Sequence, residues 1–263
     1  MAPEYRIHVL QTAKMQVNCG LLSIGGDIHQ KRVTPINIFY LEGGPKKIVM
    51  DAGIPKADER WGLDGGGEQG VREALNRVGI APEEVDILVL SHLHHDHAGN
   101  FHLFKNARVF VQRSEYDFAQ NPIPTMRFYY DPAERIRELE KMDLVLVDGD
   151  VPIADGVRAI HLPGHTPGNM GLVVNTKKGS AVLTGDQIYM LYNLRPHVDH
   201  IIDAAGDRIP VPYRPDLPFM PMAVHTDLIA WFDSMYKVLA NASSRDLIIP
   251  THEATYVGRV FGE

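Results

Sequence analysis

The stretch that most constrains this chain is Ser91-His92-Leu93-His94-His95-Asp96-His97-Ala98-Gly99-Asn100. Between His92 and His97 every residue but Leu93 carries an imidazole or a carboxylate. These are the usual ligands of zinc and of other borderline divalent metals. The run Val85-Asp86-Ile87-Leu88-Val89-Leu90 before it reads as a buried strand. Alternate side chains of an extended segment share a face, so His92 and His94 are expected to point at one metal. Asp96 and His97 follow where the chain bends towards a helix, placed to reach a second metal beside the first. One histidine at a strand end is ordinarily structural, but a cluster this dense is not, and distant ligands must close it.

Three later segments end an apolar run in suitable chemistry. In Leu162-Pro163-Gly164-His165-Thr166-Pro167-Gly168, prolines and glycines fix a tight loop around His165. In Leu183-Thr184-Gly185-Asp186 a strand breaks at glycine and presents a carboxylate. Pro250-Thr251-His252 follows the last apolar run. Gly-Asp alone is a common turn; the signal is all three, in this order, downstream of the cluster.

Around these points the chain reads as strands at 4–10, 36–42, 47–51, 107–112, 144–147, 157–162, 169–175, 180–183 and 246–250. Gly43-Gly44-Pro45 and Lys177-Lys178-Gly179 mark hairpin turns. Helices are expected at 71–78, from Arg113 or Ser114, at 133–141 and at 225–239. The glycine-rich stretch from Trp61 to Glu68 lacks the Gly-Lys-Ser/Thr of a phosphate loop and reads as a surface loop, a candidate rim of the site. Strands arrive as hairpins early in each half and helices later, which suits an α/β (α+β) architecture of two mixed sheets packed face to face with helices outside. No compositional break divides the chain, so 1–263 is expected to form a single domain. The proline-rich segment 187–222 is its expected lid or insertion.

With 26 basic and 33 acidic residues the formal charge is −7, which disfavours nucleic acid as a partner. Cys19 is the only cysteine, so neither an internal disulfide nor a thiolate metal site can form. The N-terminus lacks the apolar core of a signal peptide, and no run approaches a membrane span. The expectation is a cytoplasmic protein that meets no membrane.

With these residues in place, the chain resembles the metallo-β-lactamase superfamily, whose pattern is His-x-His-x-Asp-His followed by a distant His, Asp and His at strand ends of an αββα sandwich. The resemblance implies that His92, His94 and His165 bind one divalent metal, that Asp96, His97 and His252 bind a second, and that Asp186 bridges them. Zinc is the first expectation, with Mn, Fe and Co compatible with the same donors. His95 falls at a variable position and is read as a non-ligand. The other histidines read as structural, with His197, His200 and His225 kept as candidates for substrate contact.

Within the superfamily, Asp186-Gln187-Ile188-Tyr189 is similar to the N-acyl-homoserine lactonases, in which a tyrosine sits three residues after the bridging aspartate. Residues 90–94, 111–116 and 259–261 also look like that group. The resemblance implies a small-molecule lactone or ester substrate opened by a metal-bridging hydroxide. Tyr189 is then an oxyanion donor and Asp96 a proton shuttle. A glyoxalase-II-like thioesterase or another carboxylic ester hydrolase is the alternative, and a mononuclear iron sulfur dioxygenase is the alternative from another class. Tyr192, Tyr213, Phe219, Met220, Met222, Met126, Phe128 and Tyr129 are candidates for an apolar pocket. The Met- and Phe-rich loops also suit packing across a homodimer.

Overall fold

The computed structural model describes residues 2–55 and 62–263. Its strands are β1 (Arg6–Asn18), β2 (Lys31–Glu42), β3 (Ile48–Met50), β4 (Asp64–Gly65), β5 (Ile87–Val89), β6 (Arg108–Gln112), β7 (Asp143–Val147), β8 (Val151–Ala154), β9 (Val157–His161), β10 (Met170–Thr176), β11 (Gly179–Leu183), β12 (His200–Ile202), β13 (Arg208–Pro210), β14 (Ile248–Ile249) and β15 (Val260–Phe261). The helices are α1 (Cys19–Leu22), α2 (Gly67–Asn76), α3 (His95–Ala98), α4 (Arg113–Gln120), α5 (Ala133–Ile136), α6 (Leu191–Leu194) and α7 (Leu228–Asn241). One sheet has the order β15-β1-β2-β3-β5-β6-β7, with β4 paired to β1, and the other β14-β11-β10-β9-β8. Both are mixed: β3, β5, β6 and β7 run parallel, β1 and β2 antiparallel, and β14 joins β11 in parallel.

The two-residue period of the strands sorts their side chains into layers. On β2, Phe39 and Leu41 turn inward and pack with Leu172, Val174 and Ala181 of the facing sheet. Ile38 and Tyr40 turn outward against Val71 and Leu75 of α2. Across the sandwich, Ile160, Val182 and Ile248 turn outward against Trp231, Met235 and Val238 of α7. Each fully buried aliphatic side chain of this kind contributes about 1.5–3 kcal/mol. The result is the four-layer αββα sandwich that the element pattern implies.

Several elements differ from expectation. Strand β1 continues eight residues past Leu10 to Asn18, and β2 begins at Lys31. Helix α2 starts at Gly67 and stops at Asn76, before the left-handed Gly79 at φ 74°. Neither Arg113 nor Ser114 caps α4; the cap position is Gln112, and the Ser114 hydroxyl donates to Pro167 O instead. Segment 133–141 is a short α5 followed by a 3-10 turn over Arg137–Lys141. Helix α7 starts at Leu228 because the Asp227 carboxylate accepts from the amides of Ile229 and Ala230. Strand β8 was not expected: Pro152 spoils its pattern, which an edge strand tolerates. Segment 187–222 is not irregular throughout, since it contains α6 and the β12–β13 hairpin. Of the glycine-rich stretch, Trp61 lies outside the described residues, while Asp64–Gly65 pairs with β1 and Gly67 opens α2 rather than forming a free loop.

Candidate metal centre

The chemistry collects at one set of strand ends. His92 to His97 follow β5, His165 follows β9, Asp186 follows β11 and His252 follows β14. Parallel pairing of β11 with β14 carries Asp186 and His252 to the same edge. His94 is extended (φ −62°, ψ 148°), and α3 begins immediately after it, so Asp96 and His97 leave from its first turn.

All seven residues named from the sequence come together. His92, His94, His165 and Asp186 form one buried group, and Asp96, His97 and His252 another. Asp186 stands between them. Its Oδ2 is 3.3 Å from His97 Nε2, 3.4 Å from His165 Nε2 and 3.8 Å from His92 Nε2, and its Oδ1 is 3.2 Å from His252 Nε2. Asp96 Oδ2 lies 3.5 Å from His97 Nε2 and 3.8 Å from His252 Nε2. His94 Nδ1 is 3.1 Å from His165 Nε2. These are the separations of ligands around shared cations. The buried Nε2 atoms of His92, His94 and His97 have no hydrogen-bond partner, an arrangement too costly to keep without an acceptor of their lone pairs.

The far nitrogens fix the rings. His165 Nδ1 meets Val224 O at 2.8 Å, His252 Nδ1 meets Pro35 O at 2.9 Å and His97 Nδ1 meets Asp51 Oδ2 at 2.8 Å. Each partner only accepts, so each Nδ1 carries a hydrogen and Nε2 is the atom turned towards the other ligands. Ser91 Oγ spends its hydrogen on Asp51 Oδ2 at 3.0 Å and therefore accepts from His92 Nδ1 at 3.0 Å. Burial, reinforced by neighbouring imidazoles, holds His92 and His94 well below the ordinary histidine range, and burial lowers His165. Burial opposes charge on Asp186 and Asp96 as well, but the adjacent histidines overcome it and keep both carboxyls below their usual range. Burial opposes charge on His97 and His252 too, but Asp186, with Asp96 adding, overcomes it and raises both above the ordinary histidine range. Imidazoles beside ionised carboxylates are the donor set that divalent metals bind, displacing such protons.

Two positioning residues escaped the sequence reading. Asp51, fully buried, also accepts from Ser91 N at 2.8 Å, so it braces both ends of the cluster. It holds a left-handed backbone at φ 68°, uncommon for any residue but glycine and best tolerated by Asp and Asn. From the sequence, Asp51-Ala52-Gly53 read only as a strand end. Glu115 of α4, also fully buried, accepts from Leu93 N (3.0 Å), Gly168 N (3.1 Å) and Tyr130 Oη (2.8 Å). It thereby ties the His92–His94 segment to the loop bearing His165. Asp186 is itself fixed by the Thr251 hydroxyl at 2.6 Å and, through its amide, by Asn169 Oδ1 at 3.0 Å.

A cleft opens onto His94, Asp96, Asp186 and His252. Tyr189 lines it, its ring edge-on to His165 and His252 with centroids 5.6 and 5.4 Å away. Its hydroxyl makes no hydrogen bond to another described residue, and burial, with Asp186 and Asp96 adding, raises its pKa well above the ordinary phenol. It stays a donor. Of the expected pocket aromatics only Tyr129 lines this cleft; Phe219, Met220 and Met222 pack beneath α7, Met126 packs under the first sheet, and Phe128 and Tyr213 are exposed. The apolar walls are Met15, Val17, Leu21, Leu22 and Val224, and the alternation of Met15 and Val17 with Lys14, Gln16 and Asn18 is the signal that would have found the first two. His197, His200 and His225 bond Leu217 O, the Asp199 carboxylate and Met222 O, and none lines the cleft.

A family model described as "Metallo-beta-lactamase superfamily" matches residues 32–235. An N-acyl homoserine lactonase of a Bacillus species is 33% identical over 180 residues, covering 62% of this chain and 68% of the relative. Another from Bacillus cereus is 30% identical over 178 residues with the same coverage. Among solved structures, a quorum-quenching N-acyl homoserine lactone hydrolase superposes with a TM-score of 0.75 at 22% identity, covering 100% of this chain and 98% of its own.

Proposed function

The chain belongs to the metallo-beta-lactamase superfamily, and from that premise we propose that it is a dinuclear metal-dependent hydrolase that opens the ring of an N-acyl homoserine lactone or a related lactone. The observation that carries the proposal is the convergence of two ligand groups on Asp186, with the Nε2 atoms of His92 and His97 turned towards it and given no hydrogen-bond partner. The names of the 33%- and 30%-identical relatives support the substrate class.

In this reading His92, His94 and His165 hold one ion, Asp96, His97 and His252 the other, and Asp186 spans both. Zinc is proposed because these nitrogen and carboxylate donors suit it. A bound pair of divalent ions supplies an activated water at neutral pH and polarises a carbonyl. The protein's own groups do the rest. Tyr189 Oη donates to the oxygen on which charge develops. Asp96 turns Oδ2 towards His97 and His252, while its Oδ1 has no hydrogen-bond partner among the described residues; Oδ1 is positioned to take a proton and return it to the departing ring oxygen. Met15, Val17, Leu21 and Val224 hold an apolar arm and exclude water. Within 187–222, Tyr189 lines the cleft, which supports a role for the start of the segment as one of its walls.

The test is a hydrolysis screen of metal-replete protein against acyl-homoserine lactones, simple γ- and δ-lactones, aryl esters and glutathione thioesters, beside metal analysis. Fastest turnover of the acyl-homoserine lactones with two ions per chain is expected. Preference for thioesters would sink the lactonase reading in favour of a thioesterase, and one iron per chain with oxygen uptake would indicate a dioxygenase.

A further inference from the structure

A second cavity adjoins the metal cleft. Leu22 lines both, Thr34 lines the cleft while Arg32, on the same face of β2, lines the second cavity, and Tyr189 and Met190 divide in the same way. Two residues of strand separate Thr34 from Arg32 by about 7 Å. The second cavity is otherwise walled largely by apolar groups, among them Ile201, Val211 and the Tyr192 ring.

Arg32 is its unusual feature. The residue is only 3% exposed. Its Nε donates to Thr34 Oγ1 at 3.2 Å and its Nη1 lies 2.8 Å from Met190 Sδ. Sulfur is a weak acceptor, and among the described residues Nη2 has no hydrogen bond and the guanidinium no ion pair. A guanidinium presents five N–H donors in a rigid fork, and burying them without acceptors is costly. The donors that remain face a cavity that lies beside the substrate cleft and shares Leu22 with it.

The surrounding charge says what kind of acceptor fits. Burial lowers the Arg32 pKa while Glu253, Cys19 and Asp203 act in the opposite sense. The two carboxylates balance the guanidinium from a distance, each held by backbone amides: Asp203 Oδ2 by Val33 N and Glu253 Oε2 by Leu191 N, both at 2.8 Å. Asp27 lines the cavity as well. An anionic ligand would enter against three acids; a neutral oxygen would accept from the fork and add no charge.

We propose that this cavity is a distal subsite of the substrate site, and that Arg32 selects lactones whose acyl arm carries an uncharged oxygen, a carbonyl or a hydroxyl, at its far end. The proposal rests on the lactonase reading above and adds the identity of the arm.

Acyl-homoserine lactones of matched arm length, one plain, one with a distal ketone, one with a terminal hydroxyl and one with a terminal carboxylate, would be compared on metal-replete wild type, R32M and R32K. The wild type is expected to show a KM about tenfold lower for the oxygenated neutral arms than for the plain arm, the scale of one hydrogen bond to a charged donor. In R32M that ratio should collapse towards one, and R32K should restore part of it. Equal KM values for plain and oxygenated arms in the wild type would overturn the proposal without any variant, so a misfolded R32M leaves it decidable. The tightest binding by the carboxylate arm would overturn the uncharged assignment. Calorimetric binding of the ring-opened compounds separates the two readings: if no lactone is hydrolysed yet the distal-oxygen compound binds about tenfold tighter than the plain one, the lactonase reading fails and the subsite stands.

Discussion

Replacing Asp51 by Asn is the sharpest probe of how this centre is built. Asparagine tolerates the left-handed backbone at φ 68° and keeps an oxygen for Ser91 N. What it loses is the second acceptor, Oδ2, which takes the hydrogen of His97 Nδ1 at 2.8 Å. An amide NH₂ in that place requires Nδ1 to accept, which moves the ring hydrogen to Nε2, the atom that faces Asp96 and Asp186. A hydrogen bond to a charged acceptor is worth about 1.5–3 kcal/mol, and loss of an outer partner typically lowers metal affinity about 10–100-fold, or about 1.4–2.8 kcal/mol. The two scales agree near 2 kcal/mol, so D51N should bind the ion at Asp96, His97 and His252 about thirtyfold more weakly. The ion at His92, His94 and His165 should be less affected: Ser91 Oγ also loses Oδ2 as its acceptor, but a hydroxyl has two acceptor lone pairs and can take the new amide hydrogen while still accepting from His92 Nδ1. Stepwise titration with a competing chromophoric chelator reads the two affinities separately, with thermal melting of the chelated protein as the control for folding. Two unchanged affinities, or two equal losses, would refute the tautomer argument. D51A should melt below D51N, since alanine lacks both the acceptor and the tolerance of positive φ.

Tyr189→Phe should lower kcat on lactones about a hundredfold with a small change in KM; equal activity on every lactone would remove the phenol from the chemistry. Chelation should abolish turnover and lower the melting temperature by several degrees, both reversed by added metal, since ions bound only to the folded state stabilise it. Gly168→Ala sets a Cβ 2.3 Å from Glu115 N and 2.4 Å from Glu115 Cβ. A loss of about 2–4 kcal/mol in denaturant unfolding is expected. Burial raises the Glu115 carboxyl, and a group whose pKa is raised on folding stabilises fully below its unfolded value and loses that contribution as pH climbs through the folded one. Glu115→Gln has no such loss, so the melting-temperature difference, wild type minus variant, should shrink from about pH 4 towards neutrality; a pH-independent difference would contradict the assignment.

The metal-binding side chains were legible because their chemistry is dense and sits where apolar runs stop. His165, Asp186 and His252 are each weak alone and gain meaning only from the cluster they follow. The braces were not legible. Asp51 and Glu115 act through contacts 40 and 22 residues away in the chain, and nothing local separates a buried carboxylate from a solvated one. The sandwich followed from alternation in β2, β10 and β11, whereas Arg6–Asn18 was cut short because threonine and alanine interrupt its pattern at 12 and 13. The Met and aromatic residues of 187–222 were ambiguous for another reason: a side chain that fills the core beneath α7 has the same composition as one that lines a pocket.

Pro35 O receives His252 Nδ1, and Asn37 Nδ2 donates to Thr251 O at 2.8 Å. The His252 ring and the residue before it are therefore fastened to β2, more than two hundred residues earlier in the chain. Any change that loosens this joint should therefore weaken the proposed ion at Asp96, His97 and His252 before the one at His92, His94 and His165.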